Sequence, residues 1–280
     1  MIETLERESE LEAVRSSLSR PVIFVPTMGA LHDGHAALIR RAASISESVI
    51  VSIFVNPLQF EDASDLANYP KTLVSDSQLA RDAGATFIWA PRYEDVYPGK
   101  IERVSAGRVG TILEGASRLD HFDGVLTVVK RLFECVRPDT AIFGEKDFQQ
   151  LFLVKQLASR MGIEIITHPT VRDESGLALS SRNSRLTPEG KKVAQVIYRA
   201  LDAARDASSP REAMHFLLEQ ESSFKLDYAE VIDEATFEIL DDSNRDPSIT
   251  RRALIAGWVE GVRLIDTLAL DHTADQGRVS

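Results

Sequence analysis

Short apolar runs alternate with segments of helical period as far as about residue 171, and this alternation restricts the chain to few folds. Residues 21–27 (PVIFVPT) are apolar and β-branched, residues 35–46 (HAALIRRAASIS) have the apolar spacing of a helix, and residues 49–55 (VIVSIFV) form the next apolar run. Strands that are apolar on both faces and joined by helices are typical of parallel sheets. The sequence therefore predicts βαβ units in an α/β fold, a Rossmann-like, doubly wound parallel sheet.

The same patterns predict the other elements of this part of the chain. Residues 2–19 place Leu11, Val14 and Leu18 at helical spacing among charged residues, which predicts a surface helix. Further strands are predicted at 85–91, 140–144 and 163–169, and further helices at 72–84, 123–138 and 148–162.

The pattern changes after a polar stretch that begins at residue 172. Long helical segments follow at 191–206 and 210–222, and strand-like runs at 227–233 and 253–259. We therefore expect two domains: residues 1–172, a Rossmann-like domain that binds the ligand, and residues 173–280, a smaller α+β domain that acts as a lid.

Composition excludes several classes of protein. The 280 residues include 32 Lys and Arg against 43 Asp and Glu, so the net charge of −11 argues against a nucleic-acid partner. The single cysteine, Cys135, rules out an intramolecular disulfide or a cysteine-cluster metal site. The apolar runs are too short to cross a bilayer of about 30 Å, and the acidic residues 1–14 are not typical of a secretory signal. We expect a cytoplasmic protein with no membrane partner.

The densest chemical signal is PTMGALHDGH (26–35), directly after the first buried strand. Ligands of open α/β sheets bind at the carboxyl ends of strands, where helix N-termini and exposed N–H groups favour anions. His32 and His35 are three residues apart and can donate hydrogen bonds to phosphate oxygens from the same side. A structural histidine pair, or a zinc pair short of ligands, is the alternative.

Two further clusters suit phosphate. Gly144, Glu145, Lys146 and Asp147 follow the predicted strand at 140–144, and the lysine can neutralise phosphate charge. Residues 179–183 (LSSRN) offer two hydroxyls and a guanidinium that can close over a polyphosphate. Taken singly, the first is an ordinary solvated turn and the second a polar loop or helix cap, so the argument rests on all three clusters together.

Six stretches between residues 26 and 183 now point to one family. The chain resembles the pantoate–β-alanine ligases, of the HIGH-type nucleotidyltransferase superfamily, on PTMGALHDGH, FVNPLQF, YPKT, EGASR…HFDGVLTVV, FGEKDFQQL and GLALSSRN. The H-x-x-H of the first stretch stands at the HIGH signature, and LSSRN stands where relatives carry the mobile KMSKS loop.

The resemblance implies an enzyme of pantothenate biosynthesis, a ligase that condenses (R)-pantoate with β-alanine through a pantoyl adenylate, using ATP with Mg²⁺ and releasing AMP and pyrophosphate. It implies that pantoate is bound by Gln59 and Gln150, β-alanine by Gln59, and that the enzyme is a homodimer. The residues that suit the catalytic step are His32, His35, Lys146, Ser180, Ser181 and Arg182. The implied ATP contacts are Met28, Gly29, Ala30, Leu31, His32, Asp33, Gly34, His35, Gly144, Glu145, Lys146, Asp147, Val171, Leu179, Ser180, Ser181 and Arg182.

Two positions depart from the family pattern. Leu119-Asp120 stands where relatives often have a proline, and the acidic pair that some relatives use for magnesium is Ser75-Asp76 here. Asp76 is therefore the metal candidate, although an acid in the first turn of a helix usually serves the helix dipole. Other functions remain open at this point: a nucleotidyltransferase that makes CDP- or NAD-type products, a tRNA-binding synthetase fragment, or a nucleotide sensor that regulates a partner.

Overall fold

The computed structural model describes residues 3–60, 66, 67, 69–244 and 246–271 of the chain. It divides into two compact units, Met1–Val171 and Arg172–Ser280. This division falls one residue before the boundary at 172 that the sequence pattern suggests. Each unit has its own sheet and its own hydrophobic core.

The N-terminal unit alternates strands and helices along most of its length. Its strands are β1 (Glu3–Leu5), β2 (Val22–Thr27), β3 (Ser48–Ile53), β4 (Phe87–Trp89), β5 (Thr140–Gly144) and β6 (Glu164–His168). Its helices are α1 (Glu8–Arg15), α2 (Asp33–Ala43), α3 (Leu73–Asp82), α4 (Tyr93–Val96), α5 (Glu114–Ser117), α6 (His121–Val136) and α7 (Phe148–Met161), with 3₁₀ turns at Pro57–Gln59, Arg108–Thr111 and Glu145–Asp147.

The six strands form one parallel sheet in the order β1-β4-β3-β2-β5-β6. The chain runs outward from β2 through β3 to β4, and then returns to the centre at β5 before reaching β6. The order therefore reverses between β2 and β5, which is the topological switch point where α/β sheets bind ligands. The predicted doubly wound parallel sheet is confirmed.

Strand β2 shows how alternation buries both faces of this sheet. Ile23 and Val25 pack on one side in a cluster with Ile39 of α2, while Phe24 points to the other side and meets Phe133 of α6 edge-on, with 6.2 Å between ring centroids. Helix α6 is buried along most of its length within the single chain. Its apolar face therefore belongs to the core of this unit.

The predicted surface helix at 2–19 was partly wrong. Residues Glu3–Leu5 form the edge strand β1, paired parallel with β4, and the helix begins only at Glu8. Leu11 is fully buried, as its helical spacing predicts. The three-residue strand was missed because its pairing with β4 is a tertiary contact, and three residues are too few to show a strand period.

The C-terminal unit is a small α+β fold, as predicted. It contains a 3₁₀ turn at Ser181–Arg185, the helices α8 (Pro188–Arg205) and α9 (Pro210–Glu219), and an antiparallel sheet of β7 (Lys225–Asp233), β8 (Arg251–Val259) and β9 (Val262–Ala269). The hairpin partner β9 was not predicted. Across both units, no helix among the residues described here has the length and apolarity needed to cross a membrane.

Candidate active site

Three candidate segments follow three adjacent strands of the parallel sheet. Residues 28–35 follow β2, residues 54–59 follow β3, and residues 144–147 follow β5. Because all strands run in the same direction, the three segments lie at one edge of the sheet, around the switch point. The fold therefore gathers at one place the histidines, Gln59 and Lys146 that the sequence only suggested separately.

The two imidazoles lie against each other at the start of α2, with 4.1 Å between ring centroids. Nδ1 of His32 accepts a hydrogen bond from the backbone N–H of Gly34 at 3.1 Å, and Nδ1 of His35 accepts from the backbone N–H of His32 at 3.3 Å. A neutral imidazole that accepts at Nδ1 carries its proton on Nε2. The network therefore assigns an Nε2–H donor to each ring.

Both imidazoles are held in the neutral form. Desolvation lowers the pKa of His35 to about 3, with repulsion from His32 as the next cause. Desolvation also lowers the pKa of His32, followed by repulsion from the Lys146 ammonium. Near neutral pH these rings therefore donate hydrogen bonds as uncharged groups and do not act as imidazolium ions.

The segment after β5 faces the same pair of rings. The Lys146 ammonium lowers the pKa of both His32 and His35, and the Asp147 carboxylate opposes it at both rings. Lys146 Nζ lies 3.4 Å from Asp147 Oδ2, which gives the cation a neighbouring anion in the same 3₁₀ turn. The structure thus brings the predicted residues of the first two clusters together.

The backbone donors of the turn after β2 are not free, contrary to our expectation from the sequence. Ala30 N–H and Leu31 N–H donate to the Asp76 carboxylate at 3.0 and 2.9 Å. Gly29 N–H donates to Thr27 Oγ1 at 3.3 Å. The site therefore offers an anion its side-chain donors and the N-terminal end of α2, because the N–H groups of residues 29–31 already have partners.

Gln59 sits in a buried polar network that sequence reasoning missed. Its Oε1 accepts from Nδ2 of Asn56 at 3.1 Å, and its Nε2 contacts Sδ of Met28. Asn56 is 1% exposed, donates a second bond to the carbonyl of Gly124, and accepts from the Tyr97 hydroxyl at 2.9 Å. Asn56 therefore fixes which way the Gln59 amide points.

The main chain of Gln59 is held by a second group of residues. His121 Nδ1 donates to the carbonyl of Gln59 at 2.9 Å, and Arg118 contacts both that carbonyl and Nε2 of His121. Burial, together with repulsion from Arg118, lowers the pKa of His121 to about 4. Residues of the EGASR…HF stretch thus hold the main chain of the pantoate candidate Gln59. The departure from the family pattern at Leu119-Asp120 lies between Arg118 and His121 in the sequence.

Two neighbouring glutamines at the start of α7 have different environments. Gln149 is 4% exposed, accepts from Glu114 N–H, and donates to the carbonyls of Val109 and Ile112. Gln150 is half-buried, and its side chain makes no hydrogen bond within the described part of the chain. Only Gln150 therefore keeps its whole amide for a ligand, which is consistent with its predicted role.

The third cluster lies in the C-terminal unit and is rigidly built there. Ser180 Oγ accepts from Arg182 N–H at 3.3 Å, so this serine caps the 3₁₀ turn that contains Ser181 and Arg182. The preceding Arg172 forms two hydrogen bonds with the buried Asp266 and stacks over the Tyr198 ring at 4.4 Å. Within this unit, these contacts tie the start of the loop to the sheet and to α8.

The single cysteine, Cys135, does not suit the role of a covalent nucleophile. Burial raises the pKa of Cys135 to about 12, which keeps the thiol protonated and unreactive. Asn56, Tyr97, Gly124, His121 and Gln149 were not singled out from the sequence. For four of them the available sequence signal was a position inside FVNPLQF, HFDGVLTVV or FGEKDFQQL, whereas Tyr97 lies outside all three stretches.

Fold and site together define a Rossmann-like α/β enzyme with its polar residues at the topological switch point. The family model of pantoate–β-alanine ligases matches residues 2–269. The pantothenate synthetase of Acidothermus cellulolyticus is 42% identical over 270 residues, covering 93% of this chain and 89% of that protein. The chain therefore belongs to the pantoate–β-alanine ligase family, as its motifs indicated.

Solved structures agree with this assignment. The crystal structure of pantothenate synthetase from Thermus thermophilus matches with a TM-score of 0.87 and 40% identity, covering 96% of this chain and 99% of that one. The pantoate–β-alanine ligase from Francisella tularensis, complexed with β-γ ATP and β-alanine, matches with a TM-score of 0.79 and 34% identity, covering 96% and 98%.

Proposed function

We propose that this chain condenses (R)-pantoate with β-alanine at the expense of ATP, through a pantoyl adenylate, giving pantothenate, AMP and pyrophosphate. One observation carries the proposal at the level of the site: His32 and His35 lie against each other at the switch point, close enough to Lys146 for its charge to lower their pKa values, and Gln59 contacts Met28 of the same turn. A carboxylate and an amine do not condense unaided near neutral pH, so the acid must first be activated.

In the first half-reaction, a pantoate carboxylate oxygen attacks the α-phosphorus of ATP and the bond to the β-phosphate oxygen breaks. The neutral His32 and His35 donate hydrogen bonds from Nε2 to phosphate oxygens, and Lys146 supplies a positive charge. Positioned donors and charges of this kind are the main source of catalysis in transfers at phosphorus. No imidazolium is required for this step, because a neutral ring donates as well.

Pantoate is held by carboxamides in this proposal. Gln59 is fixed by Asn56, while the Gln150 amide has no hydrogen-bond partner among the residues that the structure describes. Carboxamides donate to a carboxylate and accept from hydroxyls without adding a charge that would compete with the phosphates.

In the second half-reaction, the neutral amine of β-alanine attacks the acyl carbon of the adenylate. The carbon–oxygen bond to AMP breaks, and the amine loses a proton as the amide forms. In this proposal Gln59 contacts β-alanine as well as pantoate, as the resemblance implies. Exclusion of water matters here, because water would hydrolyse the adenylate.

Magnesium enters this proposal as the counter-ion of ATP, whose phosphate charge it reduces. The metal candidate Asp76 does not fit a ligand role in this structure: three hydrogen bonds, from Ala30 N–H, Leu31 N–H and Thr72 Oγ1, occupy its carboxylate. A carboxylate has about four acceptor positions, so little is left for a cation. Among the described side chains, no group of three or more His, Cys, Asp or Glu could hold a metal ion.

We also propose that the C-terminal unit works as a lid. Ser180, Ser181 and Arg182 suit a polyphosphate, and their loop is anchored to that unit through Arg172. The loop then moves with the unit when it closes over the nucleotide. Hydrogen exchange across residues 172–186, with and without ATP plus pantoate, tests this: we expect strong protection on binding, and unchanged exchange would contradict it.

The homodimer in this proposal rests on the family resemblance alone, and the cytoplasmic location rests on composition. Sedimentation velocity on the full chain tests the first, with a dimer as the expected species.

The activity itself is tested by a pyrophosphate-release assay in which ATP, pantoate and β-alanine are omitted in turn. We expect release to need ATP and pantoate together, and AMP and pantothenate to accumulate only when β-alanine is added. Release that needs CTP or a mononucleotide would favour another nucleotidyltransferase. ATP binding without any turnover would favour a nucleotide sensor.

A further inference from the structure

The turn that precedes the two histidines has an unusual backbone. Gly29 and Ala30 are both in the left-handed region, with φ of +82° and +50°. Glycine adopts this conformation freely, but alanine does so at a cost. A tertiary contact must therefore hold Ala30 in place.

That contact comes from Asp76, in the first turn of α3, 46 residues further along the chain. The side chain is 3% exposed, its Oδ2 accepts from Ala30 N–H at 3.0 Å, and its Oδ1 accepts from Leu31 N–H at 2.9 Å. Thr72 Oγ1 donates to Oδ2 at 3.0 Å. Both carboxylate oxygens are therefore used to hold two consecutive backbone donors.

Gly29 makes this approach possible. A Cβ atom at this position would lie 3.1 Å from Asp76 Oδ2 and 3.2 Å from Cγ2 of Ile53. A side chain at residue 29 would therefore crowd the carboxylate, and the glycine relieves this crowding. The close approach of the buried Asp76 carboxylate thus accounts for a glycine at this position.

We call the two hydrogen bonds from Ala30 N–H and Leu31 N–H to the Asp76 carboxylate the clamp. The clamp affects the histidines through the main chain that follows Leu31. His32 follows Leu31 directly, begins α2 as its N-cap, and gives its own N–H to Nδ1 of His35. A shift of Leu31 thus moves His32, and the hydrogen bond to His35 moves with it. Displacements of about 1 Å at such a site lower rates by about a hundredfold.

We propose that Asp76 is a positioning residue, which holds the turn at Ala30 and Leu31 and thereby sets the two imidazoles, and that it is not a magnesium ligand. The effect on turnover rests on the proposed function, whereas the clamp itself does not. The two parts are therefore tested by different measurements.

The first measurement is amide hydrogen exchange by NMR on the free, unmodified protein. The amides of Ala30 and Leu31 should exchange slowly, because each donates to a buried carboxylate, and addition of Mg²⁺ alone should leave their rates unchanged. In Asp76→Asn one oxygen is replaced by an amide NH₂, so at least one of these amides should exchange much faster. Fast exchange of these two amides in the unmodified protein would show that Asp76 does not hold them, whether or not the protein is active as an enzyme.

The second measurement is the Mg²⁺ dependence of pantoate-dependent pyrophosphate release. For Asp76→Asn we expect kcat to fall by roughly tenfold or more, with the half-saturating Mg²⁺ concentration unchanged and no rescue by excess Mg²⁺. A ligand role predicts the reverse: a half-saturating concentration raised by about tenfold or more, and recovery of kcat at high Mg²⁺. That outcome would overturn the proposal.

Two further variants complete the design. Asp82→Asn changes an exposed acid at the other end of the same helix, where it accepts from Gln78, and should leave both readouts unchanged. Thr72→Ala removes only the third hydrogen bond to Asp76 and should lower kcat less, again without shifting the Mg²⁺ midpoint.

If Asp76→Asn does not fold, Thr72→Ala and the exchange rates of the unmodified protein decide. Absence of pyrophosphate release from the unmodified enzyme would refute the proposed function and leave the exchange result standing.

Discussion

His35 shows how a residue's surroundings decide the chemistry it can do. The sequence places it among the candidates for the catalytic step. In the structure desolvation lowers its pKa to about 3, and its Nδ1 accepts a hydrogen bond from a backbone N–H. At neutral pH the ring is therefore an Nε2–H donor that adds no charge. This role suits a step in which negative charge builds on phosphate oxygens.

The first prediction concerns this donor. His35→Ala should lower the rate of adenylate formation by roughly a hundredfold or more, the usual scale for removing a preorganised donor. The rate is measured as pantoate-dependent pyrophosphate release, and the circular dichroism spectrum should not change, because the side chain is only half-buried. His215→Ala, in α9 of the C-terminal unit, serves as the control. A near-normal rate in His35→Ala would assign His35 a structural role.

The second prediction separates two adjacent glutamines. Gln150→Ala should raise the apparent KM for pantoate by roughly tenfold or more, with little change in the KM for ATP and in Tm, because a lost polar partner reduces recognition of the acid. Gln149→Ala should lower Tm, since it leaves Glu114 N–H and two carbonyls without their partner. Equal loss of ATP and pantoate affinity in Gln150→Ala would contradict its assignment to pantoate.

At the scale of elements, the packing of the 3₁₀ turn Pro57–Gln59 on α6 depends on one glycine. A Cβ on Gly124 would lie 2.2 Å from the carbonyl oxygen of Leu58, which is far inside van der Waals contact. The same residue accepts a hydrogen bond from Asn56 through its own carbonyl. The close approach of these two elements therefore sets the position of Gln59.

Gly124→Ala should consequently destabilise the protein, although alanine in a helix normally stabilises it by about 0.5–1 kcal/mol relative to glycine. We expect a loss of about 1–3 kcal/mol in the free energy of unfolding, the usual cost of overpacking, together with a higher KM for pantoate. Urea denaturation and steady-state kinetics measure the two effects. Gly99→Ala, where a Cβ would meet nothing within 4 Å, is the matched control. A stabilised Gly124→Ala would show that the turn can move without cost.

At the scale of the whole molecule, histidines with lowered pKa values make stability depend on pH. The pKa values of His35 and His121 are lowered to about 3 and about 4, whereas an unfolded histidine titrates near 6.5. Below pH 6.5 the unfolded chain therefore binds protons that the native state does not, and stability rises with pH until that value is reached.

The free energy of unfolding should thus fall as the pH is lowered from 7 to 5, by up to about 1.4 kcal/mol per pH unit for each such histidine. Urea denaturation across this range measures the slope, and most carboxylates stay ionised there. His121→Gln removes one of the groups and should show a shallower slope, whatever its stability at pH 7. A flat profile in the unmodified protein would mean that these rings take up protons in the native state.

Local patterns in the sequence were enough to predict the class of fold, and they located two segments that the fold brings to one edge of the sheet. Helix and strand patterns are set by residues only a few positions apart in the sequence. The βαβ alternation, the change to an α+β unit and the segments 28–35 and 144–147 could therefore be predicted without a structure. Helix bounds followed closely: the predicted helix at 123–138 is α6, His121–Val136. The edge strand β1 and the hairpin partner β9 were missed.

Contacts between distant residues were decided only by tertiary packing. Asp76 suggested a metal site from its position beside Ser75, but in the fold its oxygens hold the backbone of Ala30 and Leu31. Asn56 meets Gly124 across 68 residues, and His121 meets the carbonyl of Gln59 across 62. Local periodicity does not predict such pairs, because the hydrogen-bond partner of a polar atom depends on which elements the sheet brings side by side.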